Sequence, residues 1–470
     1  MRHDGRSGDA HPPQDASLAH TPLRVPGRAT LQAHVGRALG RYWRSGAMAV
    51  QRLPIAEVVF PDSLDALKLV MVQMPDWAAR SAVDGRLAVP AEACQGQADP
   101  PWDRVDWWLA AFLLLECWHE RAWELRHGPI HSYSHRLRAW DARVWSHAWV
   151  NRIALFMRAW ASRMAGTPDD QWLGPVPAAS IALTHDVDAV NKTLAIRLKQ
   201  SLFLLFNAIR LVGRGHWHSA AERIAQASAF LLRPNTWSGL LDATCSLERA
   251  CGLRSRFHFY AGGRPTGVVQ WLFDPSYEIS EPGLARTIQS MSAQGFSIGL
   301  HLSFDAWRSA PRARAQRERL EAVVGAPVLN CRQHWLRFSW CDTWAAQSQA
   351  GLAQDTTLMF NDRAGFRAAA ALQWSPWDAR SGAAHRLTVL PTLLMDSHLY
   401  DYQPLLREQR RQAIGQWLDE LVAVGGQAAV LWHPHTLSRD YGWRDGFDEL
   451  IAQMQRRSIC GASAVGSAGS

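Results

Sequence analysis

The chain has 470 residues, 47% of them hydrophobic and 20% charged, with a formal net charge of +8 and a pI near 9.4. That length and apolar content exclude a wholly disordered chain and leave room for two cored domains. The basic excess is almost all arginine, with Lys68, Lys192 and Lys199 the only lysines, and it forms no run interleaved with aromatics, so nucleic-acid binding is not expected.

In chain order, residues 1–28 read as a disordered leader rich in His, Asp, Pro and Arg. The leader lacks the apolar stretch of an export signal, which points to the cytoplasm. Seven cysteines (Cys94, Cys117, Cys245, Cys251, Cys331, Cys341 and Cys460) are an odd set without a C-x-x-C pair. They read as buried reduced thiols rather than disulfides or a thiolate zinc site. No apolar run approaches the roughly 20 residues of a membrane-spanning helix.

Residues 29–170 are expected to form a Trp-rich accessory domain, mostly α with a few strands. Trp107, Trp108, Trp118, Trp123, Trp140, Trp145, Trp149 and Trp160 recur at gaps that suit helices, and core packing explains them best. His119-Glu120 has no histidine at the offset that an H-E-x-x-H zinc helix requires, which argues against a metalloprotease. A Pro, Gly and Asp cluster over residues 166–180 places the main domain boundary.

From residue 181 short apolar strands alternate with helical stretches: SIALTHDVD, RSRFHFYAG, FSIGLHLSF, VLNCRQHW and AAVLWHPH. This pattern predicts βα units, hence an α/β fold with a mainly parallel sheet or barrel over residues 176–455, followed by a disordered tail over 456–470. Each strand closes on a polar, ionisable group, and in parallel α/β architectures strand ends gather around one site. Asp186 and Asp188 lie two apart after an apolar strand, so both side chains face the same side; one can ligate a cation while the other acts as base. His301 ends the next glycine-flanked run, Arg332 and His334 again lie two apart, and His433 follows a further buried strand. Carboxylate plus imidazole suits zinc or a similar divalent ion.

The order and spacing of these motifs resemble the polysaccharide deacetylase (NodB-homology) family, carbohydrate esterase family 4, from about Ile181 to Tyr441. Thr184 to Asp188 is similar to the family's T-F-D-D-G, His301 to Asp305 to its H-S/T-x-x-H, Arg332 to Trp335 to its R-P-P-Y, and Val430 to Pro434 to its last motif. Gly299 to Ser303, Arg332 to Arg337 and Asp355 to Phe360 are also similar to motifs of a bacterial branch that carries a preceding domain. The resemblance implies a distorted β/α barrel of deacetylase type, preceded by a smaller helix-rich α+β domain. It also implies Asp186 as base, Asp188 and His301 as metal ligands, Arg332 as the partner of Asp186, and His433 as general acid. The family's second histidine is replaced by Asp305, so the third ligand is either Asp305 or, as favoured here, the inward-facing His334. Tyr260, Arg264, Trp335 and Trp377 are candidates to line the sugar site.

The activity that follows is removal of acetyl groups from N-acetylated sugars of a surface polysaccharide or its lipid-linked precursor, with a divalent metal, zinc in the first instance, as cofactor. A non-catalytic glycan-binding or scaffold protein on a degraded deacetylase fold is the alternative, and an O-deacetylase a third reading. The basic, apolar stretch 191–212 is expected to be a helix that either packs on the catalytic domain or lies peripherally on the inner membrane face.

Overall fold

The computed structural model describes residues 23–461 except 45, 62, 214, 216 and 236. Most of the expected leader (residues 1–22) and of the expected tail (462–470) therefore lies outside the described residues. Arg24 is docked, its N–H donating to Ala379 O at 2.9 Å, and the first helix begins at Arg28. The tail was expected from residue 456, but Arg456 closes a helix and Cys460–Gly461 pair with a central strand, so the chain is ordered as far as Gly461.

The N-terminal part contains an antiparallel hairpin of β1 (Leu69–Gln73) and β2 (Arg86–Pro90), together with the helices Trp107–Leu115, Trp118–His127 and Trp149–Ala165. All residues of Trp107–Leu115 are buried, as a helix apolar on every side requires. Asp106 starts this helix, its Oδ1 accepting from Leu109 N at 2.9 Å and so satisfying an otherwise unpaired backbone donor. Seven of the eight tryptophans singled out above are buried and Trp123 is partly buried, so they are core.

The second part holds β3 (Ser180–Val187), β4 (Arg256–Tyr260), β5 (Ser297–Leu302), β6 (Asn330–Gln333) and β7 (Gln354–Asp355). After these come a small hairpin of β8 (Trp377–Asp378) and β9 (Ala383–Ala384), then β10 (Thr388–Val389), β11 (Thr392–Met395), β12 (Gln427–Leu431) and β13 (Cys460–Gly461). Outside the hairpin the strands form one sheet in the order β10-β7-β6-β5-β4-β3-β12-β11, with β13 also on β3. Every pairing in it is parallel. Its two outer members, β10 and β11, are separated in the chain only by Leu390 and Pro391. One continuous segment thus pairs with β7 at its start and β12 at its end, which closes the sheet into a distorted barrel. Proline at the break fits, since it can offer no N–H to a ladder. The architecture is α/β, a distorted parallel barrel preceded by a helix-rich region.

The two parts share one hydrophobic core that runs from Leu31 to Ile459. Buried ion pairs cross the same junction. Arg152 Nη2 meets Glu420 Oε2 at 2.5 Å, Glu420 Oε1 also accepts from Ala148 N, and Arg367 pairs with Glu120. Because breaking a buried pair strands a charge in a dry environment, Arg152→Ala is expected to destabilise the protein by about 3–5 kcal/mol. Urea unfolding followed by tryptophan fluorescence measures this; a loss under about 1 kcal/mol would mean the junction does not depend on the pair.

Candidate metal centre and catalytic site

β3 ends in Thr184-His185-Asp186-Val187-Asp188, and strand periodicity sends Asp186 and Asp188 to the barrel interior. β5 brings His301 beside them, and β6 brings Arg332 and, just beyond its end, His334. Asp188, His301 and His334 each offer one ligand atom, all within 4.8 Å of one another. His301 Nε2 stands 3.2 Å from Asp188 Oδ1 and His334 Nε2 3.6 Å from it.

The outer nitrogens of both rings fix their tautomers. His301 Nδ1 lies 3.2 Å from the carbonyl of Arg332 and His334 Nδ1 3.2 Å from Asp274 Oδ1. Both partners can only accept, so each ring, when neutral, carries its proton on Nδ1 and presents the Nε2 lone pair inward. The buried Asp188 Oδ1 correspondingly lacks a hydrogen-bond donor. Lone pairs of two imidazoles and a carboxylate converging on one point form an unfavourable array unless a cation lies between them. Two imidazoles and a carboxylate are a donor set that suits zinc or a similar divalent ion. The Asp274–His334 contact is the outer-shell carboxylate that orients a ligating histidine.

Asp186 lies deeper. Its Oδ1 accepts from Arg332 Nη1 at 3.0 Å and from His258 Nδ1 at 3.0 Å. Burial raises the Asp186 carboxyl, but Arg332, His301 and His258 outweigh it and hold the group well below the usual carboxylate range. For Asp188 burial is likewise outweighed, by His301, His334 and His433. Burial lowers His258 to about 3 despite its bond to Asp186, so it acts as a neutral donor. Gly299 makes room for that ring, since a Cβ there would lie 2.5 Å from His258 Cδ2.

His433 stands on the other side of Asp188, Nε2 to Oδ2 3.5 Å. Its Nδ1 donates to Asp396 Oδ1 at 2.8 Å, while Asp396 Oδ2 accepts from His433 N and Thr436 Oγ1. Burial alone would lower this imidazole; Asp396 and then Asp188 and Asp186 raise it to about 10.

Of the two candidates for the third ligand position, the structure brings His334 into the cluster. Asp305 is turned outward, 3.1 Å from Arg337 Nη1, with 42% of its side chain exposed. Trp335 follows His334 and is 43% exposed, its Nε1 donating to Phe273 O at 3.1 Å. Arg264 is exposed on the loop after β4, and Tyr260 is buried at the end of that strand beside Tyr277. Trp377 must be withdrawn from the sugar-lining set. It is 2% exposed, packs edge-on against His34 and bonds Arg24 O, so it belongs to the core between the two parts. Asp396, Asp274 and His258 were not found from the sequence.

No protein-family model matches the chain, and no curated protein matches it. Among solved structures it is similar to a protein described as a polysaccharide deacetylase from Mycobacterium smegmatis, at 14% identity over 62% of this chain and 95% of that one, TM-score 0.34. It is also similar to the chitin deacetylase of Colletotrichum lindemuthianum, at 15% identity over 61% and 90%, TM-score 0.31. A family 4 carbohydrate esterase from Streptomyces lividans gives 10% identity over 62% and 95%, TM-score 0.31. These likenesses are slight, and the chemistry of the site rests on its own residues.

Asp188→Ala and His301→Ala are expected to abolish metal binding and His334→Ala to weaken it strongly, while Asp305→Ala leaves it at the wild-type level. Asp274→Asn, which loosens the hold on His334, should weaken affinity by about 10–100-fold. Titration with zinc or cobalt followed by calorimetry reads all five. Loss of binding in Asp305→Ala with none in His334→Ala would reverse the assignment.

Proposed function

We propose that this chain is a metal-dependent deacetylase that hydrolyses the acetamido group of N-acetylated sugars in a surface polysaccharide or its lipid-linked precursor. The observation that carries the reading is the arrangement of a charge-held carboxylate, Asp186, and a carboxylate-held imidazolium, His433, around one Asp-His-His cluster.

Asp188, His301 and His334 would hold the ion, which supplies Lewis-acid polarisation and a more acidic water when bound. Asp186, kept ionised by Arg332, takes the proton from the attacking water. His433 gives a proton to the departing sugar amine, and the closeness of Asp396 keeps that proton available at neutral pH. Trp335, exposed and next to His334, would meet a sugar ring, and the exposed Arg264 would bond its hydroxyls. The non-catalytic scaffold reading draws on the absence of a histidine at position 305, and His334 in the cluster weakens that ground. On the proposed reading the enzyme works in the cytoplasm.

The test is acetate release from a panel of N-acetylated and O-acetylated glycans with zinc, cobalt or nickel added back. Release from N-acetyl substrates alone supports the proposal, release only from esters makes the protein an O-deacetylase, and no metal uptake and no release favour the scaffold. In the active protein Asp186→Asn should keep the metal and lower kcat by about 10²–10⁴-fold; loss of metal as complete as in Asp188→Ala would show that the roles of base and ligand are misassigned.

The pH profile gives a second check. With His433 raised to about 10, turnover should persist through neutral pH and fall as the pH rises through that value. Asp396→Asn removes the main group that raises it, so the falling limb moves toward the ordinary value of about 6.5. A limb that stays in place would exclude His433 as the acid.

A further inference from the structure

Between β3 and the helix Leu240–Ala250 the chain inserts two helices, Leu194–Val212 and Trp217–Leu232. Thr193 caps the first, its Oγ1 accepting from Ile196 N. The two helices pack on each other through Ser201, Leu204, Ala208, Ala220 and Ala227, all buried, with Ser201 Oγ donating to Ala227 O at 3.0 Å. The base of this pair is fixed beside the metal centre. Phe230 and Trp237 lie against Tyr441 and His435, two to eight residues beyond His433, and the buried Lys192 Nζ meets Asp440 at 3.1 Å.

The outer face is not what a water-facing helix presents. Leu194, Leu198, Leu202, Phe206 and Ile209 recur every three to four residues and are 46–71% exposed, an apolar stripe on one side of the helix. Trp217, Ile224 and Leu232 on the second helix are exposed as well, as are Val268, Val269, Trp271 and Leu272 on the short helix Val268–Phe273. Lys199 joins the two regions, its Nζ 4.4 Å over the Trp271 ring. From there Phe273 contacts Trp335 at 6.0 Å between ring centres, next to the ligand His334. The apolar surface therefore runs to the rim of the site. Among the described residues of 191–233, Arg197, Lys199, Arg210, Arg223 and Arg233 reach solvent at least in part against the single acid Glu222, while Lys192 is buried on Asp440.

We infer that this face is a docking surface for an anionic lipid bilayer, with the leucines and tryptophans in the acyl boundary and Arg197, Lys199, Arg210, Arg223 and Arg233 toward the headgroups. Exposed apolar residues rimmed by cations match a bilayer with negative headgroups. A second copy of the same face does not match, because two basic rims would repel. The lipid contact stands independently of catalysis. That it brings the site to a lipid-linked glycan rests on the deacetylase reading.

The test is co-sedimentation of the full, metal-loaded chain with vesicles of phosphatidylglycerol and phosphatidylcholine. Binding to mixed vesicles is expected at low salt, with weaker binding to phosphatidylcholine alone and release as salt rises. Leu202→Ser with Ile209→Ser should weaken binding by about tenfold or more, with thermal unfolding and metal content unchanged because both side chains face outward. No binding at low salt, unchanged binding in the double variant, or a lipid-free dimer that the double variant dissociates would overturn the inference. Vesicle binding without acetate release from any glycan would keep the surface and remove the deacetylase; acetate release without vesicle binding would do the reverse.

Discussion

The carboxylates of Asp186, Asp188, Asp274 and Asp396 meet inside the mouth of the barrel, and among the described residues Arg332 is the one permanent cation in contact with them. Removing ionised carboxylates from water costs several kcal/mol each unless charge and hydrogen bonds compensate. The rest of the site follows from that imbalance. Asp186 is held by Arg332 and His258, Asp274 by the N–H of Phe304 and the ring of His334, and Asp396 by His433 and Thr436. Only Asp188 is left with a buried oxygen that no donor reaches, and that oxygen is the one the two inward lone pairs of His301 and His334 face. A divalent cation held there would meet all three groups with opposite charge.

Holding such groups in place demands a rigid frame, and the N-terminal part supplies some of it. Trp335 and Leu336, just after His334, have positive φ of 54° and 48°, a region that bulky residues occupy only when neighbours enforce it. Here the carbonyl of Trp335 accepts from Asn361 Nδ2 and that of Leu336 from Ser132 Oγ, while His131 bonds Phe338. Glu124 accepts from the N–H groups of Trp340 and Cys341 further along. The loop carrying one candidate ligand and the exposed indole is therefore shaped by residues 124–132, some 200 positions earlier in the chain. The accessory region acts on the site through the backbone, without lending it a side chain that touches the cluster.

What the sequence disclosed, and what it hid, separates along physical lines. Asp186, Asp188, His301, Arg332, His334 and His433 each end an apolar run long enough for a strand to be recognised, so position and chemistry are read together. Asp396 follows a strand of four residues whose continuity with β10 is broken by Leu390 and Pro391, and β7 and β10, at two residues each, are too short for periodicity to register. Asp274 follows a short helix of surface apolar residues that resembles core. His258 sits inside RFHFY, where a histidine among aromatics reads as packing. Trp377 was misjudged for the opposite reason: residue type suggests a sugar platform, but only the fold reveals depth, and its ring is closed in by the N-terminal part.

The exchange of a ligand between Asp305 and His334 acquires a structural sense from the way β3 and β6 correspond. Each strand contributes one inward group and, just past its end and two residues on, a second: Asp186 then Asp188, Arg332 then His334. Across the barrel they meet in register, Asp186 Oδ1 to Arg332 Nη1 at 3.0 Å and Asp188 Oδ1 to His334 Nε2 at 3.6 Å. A ligand placed at position 305 would belong to the loop after β5 and could shift without disturbing the base. His334 directly follows the end of β6, whose Arg332 holds Asp186, so a displacement of β6 would move a cation held at position 334 together with that carboxylate. Position 334, one residue past a strand and held by Asp274, would in this way couple the place of a bound cation to that of Asp186, and Asp305 is left to pair with Arg337 at the surface.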